Sequence, residues 1–136
     1  MNKLSSLLLL LAVVELHAAT DRATAEWVLR LGGTVVLHGS PRRIAEIAHL
    51  PSGDIRIHTV NLVPLIVQPN EFARLSALTD LRELYISGRT WHSMPVKTSR
   101  DSFQHLATLT SLERLVLSLP VQTDVQVDDT AIAAIG

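Results

Sequence analysis

The chain has no cysteine among its 136 residues, which excludes disulfide bonds, thiolate metal sites and a lipid anchor attached through cysteine. Aromatic residues make up only 4% of the chain, so few side chains can stack on nucleic-acid bases or on sugar rings. Charge is nearly balanced, with a formal net charge of -1. Without a basic excess there is no general attraction to nucleic acid or to an anionic membrane. We therefore expect no nucleic-acid partner, and no membrane contact apart from an N-terminal leader.

The sequence also lacks the residue patterns of common catalytic sites. Its six histidines never fall at a metal-binding spacing, and no glycine-rich loop is suited to a phosphate group. The acidic residues Asp124, Asp128 and Asp129 are not accompanied by the glycine and glutamate of a calcium-binding loop. We expect no catalytic residue, no metal site and no cofactor, and hence a protein that is not an enzyme.

The first 19 residues have the pattern of a secretory signal peptide. Lys3 gives a positive start, an apolar run extends over residues 4–14, and Ala18 and Ala19 offer a small-residue cleavage site. The run is shorter than the roughly 20 apolar residues of a transmembrane helix. The pattern predicts export to an extracytoplasmic space, secreted or periplasmic. An uncleaved anchor and an N-terminal core helix are the two alternatives.

What the chain does have is 47% apolar residues, enough for one sizeable core, and an internal repeat. In two stretches 31 residues apart, an apolar spacing of three gives way to a spacing of two, which predicts a helix, a turn and a short strand. Thr79 and Thr110 mark the turn in the two copies. The matched apolar residues are Phe72, Leu75, Leu78, Leu81, Leu84 and Ile86 in the first stretch, and Phe103, Leu106, Leu109, Leu112, Leu115 and Leu117 in the second. Such a unit must stack on a neighbour to bury its apolar edge.

The strand segments resemble the LxxLxL motif of leucine-rich repeats. The motif is present as LRELYI from Leu81 to Ile86 and as LERLVL from Leu112 to Leu117, and IHTVNL at residues 57–62 has the same spacing. The resemblance covers residues 20–136. It implies an α/β fold, a right-handed leucine-rich-repeat solenoid with parallel β-strands on its concave face and helices on its convex face.

Two weaker units precede the clear ones. The first would place Ala25, Val28 and Leu31 on a helix and Val35 and Leu37 on a strand; the second would place Ile44, Ile47 and Leu50 on a helix. Strand spacings of 25 and 24 residues lie within the range of roughly 20 to 29 residues for this family. The longer spacing of 31 residues implies about seven inserted residues between Ile86 and Phe103. We expect about four repeats, with the last one truncated and further repeats after Gly136.

Start and stop signals flank the expected helices. Thr20 or Asp21 would cap the first helix, which Gly32 and Gly33 would end. Asn70, Ser102 and Asp128 stand at comparable capping places ahead of the later helices. Residues 51–54 should form a turn before the strand at residues 57–62. If Gly136 were the true terminus, the open apolar face beside it would cause self-association or poor stability.

In a parallel array the leucines point inward and the alternate residues form the binding face. That face would carry Val36, His38, Thr59, Asn61, Val63, Glu83, Tyr85, Ser87, Arg114, Val116 and Ser118. Glu83 and Arg114 would be neighbours, either aligning the strands or contacting a ligand. Tyr85 is the best single contact candidate, because it is amphipathic and has few rotamers; the alternative is a surface residue that contacts no ligand. Trp91 and His92 lie in the inserted loop, where the tryptophan would either pack onto the core or recognise a partner.

The candidate partner-binding residues are therefore Asn61, Glu83, Tyr85, Arg114, Trp91 and His92. The sequence favours a non-catalytic module of an extracytoplasmic protein that binds a protein or glycan partner. The alternative is a structural repeat appendage of a larger secreted enzyme or electron-transfer protein. Intracellular regulatory binding is a third reading that requires the signal peptide to be absent.

Overall fold

A five-stranded mixed sheet forms the centre of the fold in the computed structural model, which describes residues 20–91 and 96–118. The helical residues 20–31 form α1, and a second α-helix, α2, spans Val96–Phe103. The strands are β1 Thr34–Leu37, β2 Arg43–Ile44, β3 Ile57–Leu62, β4 Glu83–Ser87 and β5 Arg114–Ser118. Their order across the sheet is β2-β1-β3-β4-β5.

The expected solenoid of parallel strands is wrong. Strands β3, β4 and β5 are parallel, but β1 pairs with β3 in the antiparallel direction and with β2 in the antiparallel direction. The sheet is a single mixed sheet that does not curl, so it has no concave inner face. The neighbours of β3, β4 and β5 are nevertheless those expected from the apolar spacing, since Leu84 pairs with Leu115 and Ile86 with Leu117.

The direction of β1 follows from how α1 lies against β3. Among the first described residues of α1, the carboxylate of Asp21 accepts a hydrogen bond of 2.9 Å from the backbone N–H of Ile57, the first residue of β3. At the other end, a Cβ on Gly33 would come within 2.8 Å of the carbonyl oxygen of Asn61, near the end of β3. Helix α1 therefore runs alongside β3 in the same direction. Gly32, with a φ of 96°, then reverses the chain, so β1 must run back against β3.

Two of the helical segments after α1 are tighter than the helices expected from the sequence. Ile44, expected on a second helix, lies in β2 opposite Val35, and only Ile47–His49 forms a 3₁₀ turn. Pro69–Leu75 is also a 3₁₀ helix, capped by Gln68 and Glu71 rather than by Asn70. Ser102 lies inside α2 instead of capping a helix. An apolar spacing of three fits the three residues per turn of a 3₁₀ helix as well as it fits an α-helix.

The hydrophobic core lies on one face of the sheet, between the strands and the helical segments. Its strand contribution includes Val60, Leu62, Leu84 and Ile86, all fully buried. The helical segments add a second layer of residues with at most 7% exposure: Ala25, Val28, Leu29, Phe72, Leu75, Phe103 and Leu106. Leu115 and Leu117 pack against this core but remain partly exposed. One side of the sheet is thus closed by apolar packing.

The two similar stretches form the same backbone hydrogen bonds at the turn before their strands. Thr79 donates to Ala77 and Thr110 donates to Thr108, each at 2.9 Å. Across the two stretches, the hydroxyl of Thr108 donates to the carbonyl of Ser76 at 2.6 Å. These bonds bring the two turns side by side and set the register in which β4 and β5 begin.

Candidate functional site: the open sheet face

The outward residues of the three parallel strands form rows on the face of the sheet opposite the core. Thr59, Glu83 and Arg114 are neighbours in the first row, and the second row is Asn61, Tyr85 and Val116. All of these except the exposed Arg114 are half-buried. We call these six residues the open sheet face. The sequence placed them on one surface correctly, because their period of two does not depend on the direction of β1.

The charged centre of this face is a contact between three side chains. The hydroxyl of Tyr85 donates to Oε2 of Glu83 at 3.0 Å. Arg114 lies next to both, with a guanidinium nitrogen 3.5 Å from the Tyr85 oxygen and 3.8 Å from Oε1 of Glu83. The long distances leave Arg114 loosely held, and its side chain is 62% exposed, whereas that of Glu83 is 27% exposed.

The electrostatics of the contact favour the charged form of the arginine. The hydrogen bond with Tyr85, followed by the nearby carboxylate of Glu83, raises the pKa of Arg114 above its ordinary value. Arg114 therefore stays a cation throughout the accessible pH range. A partner that meets this face encounters a permanent positive charge beside a phenol ring.

Ion pairs between neighbouring loops precede the strands of this face. Arg82 binds Glu113 at 2.6 Å, and Arg56 binds Asp80 at 3.2 Å. The exposed positions of these pairs mean that each contributes little to stability. Because they join the segments that precede β3, β4 and β5, these pairs keep the amino-terminal ends of the three strands side by side.

Asn61 is tied to its own backbone. Its Oδ1 accepts a hydrogen bond of 3.0 Å from the N–H of Val63, which closes the turn after β3. The side chain keeps its amide NH₂ group as a donor, and the residue is half-buried beside Tyr85. Asn61 therefore belongs to the open sheet face with one of its polar atoms already in use.

Trp91 packs into the core, which settles the two roles that the sequence left open for it. Its ring is 2% exposed and stacks on Phe103, with 4.8 Å between ring centroids. The indole N–H donates to the hydroxyl of Ser102 at 2.8 Å. Trp91 does not lie on the open sheet face, so it is not available to a partner. His92, the other candidate from this loop, lies outside the described residues.

A histidine contact beside the face was missed by the sequence reasoning. The rings of His38 and His58 meet edge to face with 5.0 Å between centroids, and a ring nitrogen of His38 lies 2.8 Å from the carbonyl oxygen of Asp80. His38 follows β1, and His58 lies at the irregularity in the β1–β3 pairing. Only the antiparallel direction of β1 brings these residues together. In the parallel array expected from the sequence, His38 and His58 would not be neighbours, so this contact could not be predicted.

Two broader properties concern the part of the chain that the structure describes. Within it, no three histidine, cysteine, aspartate or glutamate residues are grouped so that they could hold a metal ion. No helix among the same residues is long and apolar enough to cross a membrane.

No family model matches the chain, and no curated protein is significantly similar to it. The resemblance to leucine-rich repeats therefore remains a likeness of short motifs. What defines the class of this molecule is its geometry: a small α/β domain with one closed sheet face and one open, polar sheet face.

Proposed function

We propose that this chain is a non-catalytic binding module that holds a protein partner on its open sheet face. The observation that carries the proposal is the contact between Glu83, Tyr85 and Arg114, which lies on neighbouring strands and on the open side of the sheet. Tyrosine and arginine are enriched among the residues that dominate the binding energy of protein interfaces. Here both are carried by a rigid sheet, so little backbone entropy is lost on binding.

The charges and exposures indicate what the partner offers. Arg114 is loosely paired and exposed, so an incoming carboxylate can take it from Glu83 at small cost. Glu83 keeps the hydroxyl of Tyr85 as its donor when this happens. We therefore propose that the partner is a protein whose surface places an acidic side chain opposite Arg114 and an apolar group against the ring of Tyr85. A glycan fits less well, because Tyr85 is the single aromatic ring on this face.

The leader pattern of residues 1–19 supports an extracytoplasmic location for this binding. Those residues lie outside the described part of the chain, so the location depends on the sequence alone. Mass spectrometry of the exported protein should find a mature N-terminus at Ala19 or Thr20. An intact Met1 on protein recovered from the cytoplasm would contradict the proposed location.

The experiment that tests the function places a photoreactive phenylalanine analogue at position 85 of the 136-residue chain in its native host. The matched control carries the same analogue at Lys97, which is 87% exposed on α2 in the helical layer. We expect one protein to crosslink at position 85 and not at position 97. It is then identified by mass spectrometry and purified.

Affinity measurements with the purified partner complete the test. Tyr85→Ala and Arg114→Ala should each weaken binding by at least about tenfold, while Lys97→Ala should leave it unchanged. Circular dichroism checks that each variant is folded. Equal affinity of the Tyr85→Ala variant and the unaltered chain would show that the open sheet face is not the binding surface.

A further inference from the structure

A cleft of about 350 Å³ lies at the carboxyl end of the three parallel strands. Its lining includes Val63, Ser87 and Ser118, the next outward positions after the two rows of the open sheet face. The segment after β3 adds Leu65 and Ile66, and the segment after β4 adds Arg89. A recess at the edge where parallel strands end together is a common place for a ligand.

The polar part of the lining consists of one cation and two hydroxyl groups. Ser87 is 6% exposed, and its hydroxyl oxygen accepts a hydrogen bond of 3.3 Å from the backbone N–H of Arg89. Because the oxygen is already used as an acceptor, the hydroxyl hydrogen remains to be donated. Ser118 lies directly beside Ser87 in the neighbouring strand. The guanidinium of Arg89 forms no ion pair or hydrogen bond with any side chain of residues 20–91 and 96–118.

The apolar part of the lining is unusual for a surface. Ile66 is 65% exposed, which makes it the most exposed of the large apolar residues in the described chain. Leu65, next to it, is partly buried against the core. Leaving an isoleucine in water forgoes the stabilisation that covering it would give. An aliphatic group in the cleft would cover part of this surface.

We propose that this cleft binds a small carboxylate that carries a short aliphatic group. A guanidinium forms two parallel hydrogen bonds with the two oxygens of a carboxylate. The single positive charge of Arg89 neutralises the single negative charge of a carboxylate, to which Ser87 and Ser118 can add neutral hydrogen bonds. It would leave part of the higher negative charge of a phosphate without a counterion. The volume is near the lower end of the range for ligand pockets, about 300 to 1,000 Å³, which favours a small ligand. The site is separate from the protein contact proposed for the open sheet face.

The test uses the ¹⁵N-labelled 136-residue chain titrated with sodium isovalerate and followed by ¹H–¹⁵N correlation spectra. We expect the amide signals of Ser87, Gly88 and Arg89 to shift along a saturable curve. Arg89→Gln should weaken the affinity by at least about tenfold, because it removes a charge-assisted pair. Arg42→Gln is the matched control: Arg42 is also exposed, and its backbone N–H also donates to the serine two residues earlier, at 3.4 Å. The control should bind as the unaltered chain does.

Further titrations separate the sources of the carboxylate and the two proposals. A dipeptide ending in a free valine carboxylate tests a polypeptide C-terminus, and its amidated form should not bind. Tighter binding of the dipeptide than of isovalerate assigns the site to chain ends, and the reverse assigns it to free acids. Tyr85→Ala should leave all of these titrations unchanged, so failure of one proposal does not imply failure of the other. Unshifted Ser87–Arg89 signals, equal affinity in Arg89→Gln, or tighter binding of inorganic phosphate would overturn the assignment.

Discussion

The clearest contrast between single residues is that between Leu84 and Tyr85 on β4. The leucine side chain is fully buried, and the tyrosine is half-buried on the opposite face. Leu84→Ala should lower the free energy of unfolding by about 2 to 5 kcal/mol, because it opens a cavity in the core. Tyr85→Ala removes only a partly exposed contact and should cost less than about 1 kcal/mol. Chemical denaturation of both variants measures the difference.

An equal loss of stability in the two variants would contradict the assignment of inner and outer faces. A shift of one residue turns every side chain of a strand to the other face. The same result would therefore remove Glu83 from the open sheet face together with Tyr85.

Thr90 offers a second prediction for a single residue. It is 1% exposed, and its hydroxyl has no hydrogen-bond partner among the described residues. Thr90→Val keeps the shape and removes the unsatisfied polar group, so it should raise the free energy of unfolding by about 1 kcal/mol. Thermal unfolding measures this change.

Thr24→Val is the control for Thr90, since Thr24 is also buried but its hydroxyl donates to the carbonyl of Arg74 at 3.3 Å. This variant should be less stable than the unaltered chain, because it leaves that carbonyl without its donor. A loss of stability in both variants would show that the hydroxyl of Thr90 is hydrogen-bonded in solution.

At the scale of an element, the position of α1 depends on a buried hydrogen bond. Asp21 is 2% exposed and accepts the N–H of Ile57 at the start of β3. Asp21→Ala should destabilise the fold by about 1 to 3 kcal/mol, since the N–H of Ile57 would be buried without a partner. Asp21→Asn keeps an acceptor oxygen and should cost less. Urea denaturation of the two variants compares these costs.

Asp54→Ala controls for the loss of a carboxylate, because Asp54 is exposed in the segment before β3. This variant should be about as stable as the unaltered chain. If Asp21→Ala proved equally harmless, α1 would not be fixed to β3 by this bond, and the explanation for the antiparallel direction of β1 would fail.

At the scale of the whole molecule, stability should decrease from the middle of the sheet toward β2. Strand β3 is hydrogen-bonded on both sides and contributes fully buried residues, whereas β2 has two residues and lies at one end of the described sheet. Native-state hydrogen exchange should find the slowest amides in β3 and β4 and much faster exchange at Ile44. Equal protection of Ile44 and Val60 would show that the sheet opens only as one unit.

The sequence by itself determined which residues of the three parallel strands point inward and which strands are neighbours. These properties follow from the period of two and from the match between residues 31 apart, such as Leu84 with Leu115. It also determined the candidate face, because Glu83, Tyr85 and Arg114 occupy alternate positions in matched strands. The period of two within a strand and the spacing between matched residues are the same whichever way a neighbouring strand runs.

The tertiary structure alone decided the direction of β1, the type of the helices and the role of Trp91. An alternating pattern reads the same in both directions, so Val35 and Leu37 carry no information about whether their strand is parallel to β3. That choice follows from Asp21, which joins α1 to the first residue of β3, and from Gly33, where the chain after α1 passes close to Asn61 near the end of β3. Trp91 was ambiguous for a related reason: its partners Ser102 and Phe103 become neighbours only once the chain has folded back on itself.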